Sequence, residues 1–248
     1  MNPDAPSPTS PASHPAEPPT DGAPTPSRRE LNRLATQAAI VSATLTLAED
    51  HAWNAVTVDR VAEAAGVSRR TFFNYFGSLE DALHQPLRDL VAAAARRMDE
   101  RKDAAVAGES VIGLLADTLA EVITLDLLAP TARVLLLVRD HPGLRDAGLR
   151  TWDDCVRALV PAPGEGSPAA RLYVSTLVRA AVAAAQAAFE TWAETLTSPL
   201  HDDDVAALRS RLAEAMGLLR DGFALPGWVS EDELAACPPA PTALSPLR

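Results

Sequence analysis

The sequence predicts an all-α protein, and three observations carry the prediction. Apolar residues recur at alternating steps of three and four, the period of one helix face. Cap-forming Ser, Thr and Asp residues stand just ahead of the apolar runs. Beyond Arg101 the periodicity stays helical, with no strand-like alternation.

Taken in order, residues 1–27 hold nine prolines and almost no large apolar side chain, so this tail is expected to be disordered. Ser27-Arg28-Arg29-Glu30 has the form of a capping box. It should open a first helix ending near Asp50, with Leu31, Leu34, Ala38, Val41, Leu45 and Ala48 as its buried face. Thr57 is expected to cap a short second helix to Ala65, and Ser68 a third through Tyr75. Gly66 between them suits the positive φ of a tight turn. Ser78 opens a fourth helix with Glu80 and Asp81 in its first turn, where the dipole favours them. Pro86 should kink that helix or delay its start. Further helices are predicted at 109–127, 130–140, 142–160 and 169–197, with Pro130 and Pro142 near the starts of two of them. Pro161–Pro168 reads as a loop. Asp202, Asp203 and Asp204 begin a final helix whose face is Val205, Leu208, Leu212, Met216 and Leu219. Residues 226–248 form a second Pro-rich tail.

Composition bounds the function. The formal net charge is −11, which at first argues against a polyanionic partner. By segment, however, residues 28–76 carry +1, the first 27 carry −3 and the remainder carries −9. One neutral-to-basic module on an acidic body fits contact with a polyanion at one end only. Cys155 and Cys237 have no metal-like spacing and read as reduced thiols. Arg133 and Arg139 bracket the longest apolar candidate, around Leu135–Val138, so no membrane span is expected.

The informative segment is Val58–Phe76. Ala62 is small where two helices must cross, and Val61, Ala65, Val67 and Phe72 face inward. Ser68, Arg69, Arg70, Thr71, Phe73, Asn74 and Tyr75 are left outward, a mixture of cations, hydroxyls and an amide suited to phosphates and base edges in a major groove. These residues resemble the tetracycline-repressor (TetR) family, whose signature is Gly-Val-Ser-x-x-Thr-apolar-Tyr-x-Tyr/His-Phe followed by Ser-Lys-Glu-x-Leu. Gly66, Val67, Ser68, Thr71, Phe72, Tyr75, Phe76, Ser78, Glu80 or Asp81, and Leu83 match it, and the likeness covers about residues 28–90.

The resemblance implies a three-helix DNA-binding domain at 28–88, with its helix-turn-helix at 57–76. A helical effector-binding and dimerisation domain would follow at 89–225. It implies base readout from Arg69 and Arg70 and phosphate contacts from Thr57, Thr71 and Tyr75, with Ser68, Phe73 and Asn74 on the same face. Phe73 stands where the family commonly has a phosphate-binding tyrosine, and Leu79 where it commonly has a lysine, so those contacts are lost. The implied protein is a cytoplasmic homodimer on pseudo-palindromic double-stranded operator DNA. It would act as a repressor released by a small-molecule effector, without cofactor, metal or enzymatic activity. The Ala-rich helix around Ala184 and the final helix around Leu212 are the expected self-association surface. Trp152, Tyr173, Trp192 and Phe223 are aromatic candidates for a ligand pocket, although at helical spacing such residues also build cores.

Other constellations carry less. Gly164–Ala169 echoes a dinucleotide fingerprint but lacks a preceding strand, and a connector explains it. His201-Asp202-Asp203-Asp204 cannot direct consecutive side chains at one ion, and acidic residues at a helix start are ordinary. Two competing readings remain: a same-fold activator or partner-responsive regulator, and a helical enzyme or scaffold whose head is a protein-interaction module.

Overall fold

The computed structural model describes residues 27–101, 110–160, 164 and 167–222. These residues form ten α-helices and two 3-10 turns, with no strand among them. The Pro-rich stretches 1–26 and 226–248, most of the Pro161–Pro168 loop, Phe223 and Cys237 lie outside the described residues.

Helix α1 (Arg28–Asp50) begins where Ser27 Oγ accepts the Glu30 amide at 3.2 Å. Only the second half of its predicted face is buried. Leu45 and Ala48 join Ile40 and Thr44 inside, whereas Leu31 and Leu34 are 51% and 47% exposed and Ala38 is exposed. A helix of 23 residues is about 34 Å long. It outruns the short helices on which its second half packs.

Those helices are α2 (Val58–Ala64), α3 (Arg69–Tyr75) and α4 (Leu79–Leu83), capped by Thr57, Ser68 and Ser78, whose side chains accept the amides of Arg60, Thr71 and Asp81. The predicted fourth helix is interrupted at His84, and α5 (Gln85–Arg101) takes over with Pro86 at its start. That position needs no amide donor, so proline is tolerated there.

The body consists of α6 (Val111–Val122), α7 (Leu125–Asp140), α8 (Arg145–Leu159), α9 (Pro168–Thr195) and α10 (Asp202–Arg220). The predicted break between 127 and 130 falls earlier, at Ile123–Thr124. Thr124 Oγ1 accepts the Leu127 amide at 3.4 Å, and Arg209 donates to the Ile123 carbonyl that ends α6. Pro130 consequently lies inside α7 rather than near its start. It removes one ladder bond from a helix held by packing on both sides.

Two apolar cores result. Phe72, Phe76, Val61, Leu45 and Leu83 centre the first, which Val134 and Leu137 of α7 and Leu144 complete. Trp192, Phe189, Ile123, Leu128, Leu208 and Leu212 centre the second. Val205, Leu208, Leu212 and Met216 are buried within the chain, so Leu212 is not a surface for self-association. Their expected helix face forms, but α6 and α9 cover it. The expectation of no span-length apolar run also needs correction. Helix α9 is long and apolar enough to cross a membrane, with a mean hydropathy of 1.4 over its most apolar window, and only 22% of that window is buried. Alanine supplies that apolarity, which is why no obvious leucine-rich run marks it.

Candidate nucleic-acid interface

The turn between α2 and α3 is built by its glycine. Gly66 has φ +68°. Its amide bonds the Glu63 carbonyl at 3.1 Å while the Val67 amide bonds Ala62 at 2.9 Å. This double closure is a Schellman motif, which ends α2 and reverses the chain in one residue. Ala62, 3% exposed, lets the two helices approach closely.

Helix α3 then presents its outer face. Ser68, Arg69, Arg70, Phe73 and Asn74 are exposed, and Thr71 and Tyr75 are half-buried. Ser68 Oγ accepts the Thr71 amide at 3.0 Å and lies 2.8 Å from Thr71 Oγ1. One of these two hydroxyl hydrogens joins the pair, leaving the other for an outside acceptor such as a phosphate. Thr57 accepts the Arg60 amide at 3.3 Å and keeps its own hydrogen. Tyr75 packs its ring against the first core.

The two arginines differ. Arg69 Nη1 donates to Asp59 Oδ2 at 2.8 Å, tying α3 to α2, and its guanidinium lies 5.4 Å over the Phe73 ring. Phe73 in turn stands edge-to-face on Phe72 at 5.4 Å. Sequence reasoning missed Asp59, whose only signal was a carboxylate ten residues before an arginine. Arg70 has no such partner among the described residues and points its charge to solvent. The structure thus pairs Ser68 with Thr71 and Arg69 with Phe73, and Arg70 and Asn74 stand exposed on the same helix.

The head is joined to the body by chemistry that the sequence did not signal. Arg133 of α7 makes two bonds of 2.6 Å to Glu49 near the end of α1. Arg88 of α5 donates to the Asp81 carbonyl at 2.9 Å and pairs with Asp154 of α8 at 3.4 Å. The guanidinium of Arg157, then that of Arg88, holds the Asp154 carboxyl below its ordinary range.

Where α4 meets α5, a half-open cavity of about 370 Å³ lies between α5, α7, α8 and α9. His84, Thr131, Val134, Leu135, Gly148 and Trp152 are among its walls. His84 is 3% exposed, and burial pushes its imidazole below the ordinary value of 6.5. Trp152 lies 5.8 Å from Phe189. Of the other aromatic candidates, Trp192 is 1% exposed and donates Nε1–H to the Asp204 carbonyl at 2.9 Å, a core residue that locks α9 to α10. Tyr173 is 61% exposed near the start of α9, away from the cavity. Cys155 is buried, and that burial raises its thiol pKa.

Residues 40–84 match the family model of bacterial regulatory proteins, tetR family. No curated protein matches the chain. The matched span contains the second half of α1, the whole α2–α3 turn and α4. Phe72, Val61 and Ala62 hold that unit together, and its capped, cationic third helix faces outward. In this head the chain is similar to the bacterial regulatory proteins of the tetR family, and the match supports a DNA-binding regulator of transcription.

Proposed function

We propose that the chain represses transcription in the cytoplasm by occupying an operator as a homodimer, and that a small molecule binding its helical body releases it. The outward face of α3 is the observation that carries the reading: an exposed Arg70 beside Asn74 and the Ser68–Thr71 hydroxyl pair. Arg or Lys to guanine and Asn to adenine are the standard base contacts, and hydroxyls suit phosphates. Thr57, Ser68, Thr71 and Tyr75 then position the head on the backbone, and Arg70, Asn74 and a released Arg69 read bases. A two-fold pair of heads would take half-sites about 34–36 Å apart. We divide the chain accordingly, with residues 28–88 as the DNA-binding head and 89–225 as the effector and dimer body.

The dimer reading is supported by α9. Leu172 and Tyr173 are 71% and 61% exposed, and Ala183 and Ala187 lie outward on the same helix. Small exposed residues on α10, Ala206 and Ala213, would adjoin them. Packing α9 and α10 on their copies makes a four-helix bundle and removes this apolar surface from water. An unpartnered apolar helix of this kind marks an association site.

Repression requires only that the bound dimer obstruct polymerase. The testing experiment is selection of genomic fragments by the purified protein, followed by mapping of the bound sites. Pseudo-palindromes overlapping promoters support a repressor. Sites upstream of promoters would instead favour activation, and failure to select any DNA would overturn the reading.

A further inference from the structure

We propose that the cavity beside His84 is the effector site, and that it takes a compact, uncharged, mainly apolar molecule bearing one hydroxyl, such as a phenol. The inference deepens the reading of the chain as a ligand-released regulator and rests on it.

Two buried polar atoms lack partners among the described residues, His84 Nε2 and Thr131 Oγ1, and both residues line this one cavity. The residues are 3% and 2% exposed. Buried polar atoms almost always find a partner, so two such atoms on residues lining one cavity call for an occupant. His84 Nδ1 lies 2.9 Å from the Glu80 carbonyl. A carbonyl only accepts, so Nδ1 carries the hydrogen and neutral Nε2 offers a lone pair. Burial keeps the ring in that neutral form. Thr131 can donate. A single ligand hydroxyl reaching both would give its hydrogen to Nε2 and receive one from Thr131.

A bridging water satisfies the same atoms, but it leaves the apolar walls of Leu87, Val134, Leu135 and Trp152 unfilled. A volume of about 370 Å³ falls at the lower end of small-molecule pockets, roughly 300–1,000 Å³. That suits one or two fused rings. A carboxylate would set its charge against the Nε2 lone pair. At the mouth the charges balance, Arg139 and Arg145 against Glu190 and Glu194, and select neither sign. Gly148 keeps the lone pair reachable: a Cβ there would stand 3.5 Å from Nε2.

The position explains how binding would reach DNA. Val134 and Val138 line the cavity and also pack in the first core with the head. His84 itself separates α4 from α5. A ligand thus presses on the walls against which the head is seated.

The test uses the full chain, without DNA, and titration calorimetry with β-naphthol, naphthalene and β-naphthoate. The parent should bind β-naphthol roughly tenfold more tightly than naphthalene, the worth of one good neutral hydrogen bond, and β-naphthoate least. His84→Leu should erase the preference while naphthalene still binds. Gly148→Ala, which helix geometry tolerates, should weaken β-naphthol most, and it serves should His84→Leu fail to fold. Equal affinity for β-naphthol and naphthalene in the parent, or a preference that survives both variants, would overturn the site. Tightest binding of β-naphthoate would overturn the ligand class. Gel retardation of selected DNA, run separately, tells the two readings apart. Retarded DNA without hydroxyl preference sinks the cavity alone, and hydroxyl preference without retarded DNA sinks the regulator reading alone.

Discussion

Arg69 and Arg70 are neighbours in sequence with opposite surroundings. Arg70 has no ion-pair partner among the described residues, so Arg70→Ala should relax base preference at one position per half-site, at a cost of about 1–3 kcal/mol if the contact is bidentate. Thr71→Ala should weaken all sequences alike, because a phosphate contact carries no base information. A panel of mutated operators in gel retardation distinguishes them; an unchanged preference for the Arg70 variant would refute its role. Arg69 must first leave Asp59, but both side chains are more than half exposed, and such pairs are worth only about 0–1 kcal/mol. His84 supports a pH prediction. Burial is the largest cause lowering its pKa, the Glu80 carbonyl opposes it, Arg88 adds to it, and the charges of Glu80 and Asp81 oppose it. Below the ordinary value of 6.5 the unfolded chain takes up a proton that the folded chain resists. Stability present above that pH is therefore lost as pH falls toward the lower folded value. Urea melts from about pH 8 to pH 5 should show that loss in the parent and a flatter profile in His84→Gln.

At the scale of elements, the α2–α3 turn depends on one backbone conformation. A Cβ at Gly66 meets nothing within 4 Å, so the glycine is required by its φ of +68° rather than by space. Gly66→Ala should then cost only the left-handed penalty, about 1–2 kcal/mol, visible as a lower denaturation midpoint with unchanged slope. Loss of several times that amount would mean a packing role that the structure does not show. Helix α9 gives a second test. Ala187 is exposed while Ala184 is half-buried and Leu212 fully buried, so Ala187→Arg probes association without disturbing a core. Light scattering should report monomers; a variant as dimeric as the parent would move the interface elsewhere.

At the scale of the molecule, the head is not self-sufficient. Val134, Leu137 and Leu144 of the body complete its core, and Glu49–Arg133 adds a bidentate tie. Exposing three apolar side chains forfeits about 1.5–3 kcal/mol each, a large share of the roughly 5–15 kcal/mol typical of whole proteins. An excised fragment of residues 27–88 should be largely unfolded by circular dichroism and should not retard DNA. A cooperative melt from that fragment would show the head to be independent. By the same dependence, a shift of α7 would move the surface on which α2 and α3 pack.

Helix periodicity, the Thr57, Ser68 and Ser78 caps, Gly66 at the turn and the outward set on α3 were all legible in the sequence. Each depends on interactions spanning a few residues, which spacing reports directly. Where the sequence misled, the deciding contact lay far along the chain. Leu31 and Leu34 have the right period but no element beneath them. Pro130 entered a helix because Thr124 caps it and Arg209 closes the one before. The apolarity of α9 hid in alanines, several of which the described residues leave uncovered. The cavity was illegible for the same reason. His84 lies between α4 and α5, Thr131 on α7 and Gly148 on α8, and nothing in their separate neighbourhoods marks them. Local sequence therefore determined the helices and the outward face of α3. Only tertiary packing decided which stripes are buried, how the head is seated and which polar residues line one cavity, because those outcomes depend on contacts between residues that spacing cannot relate.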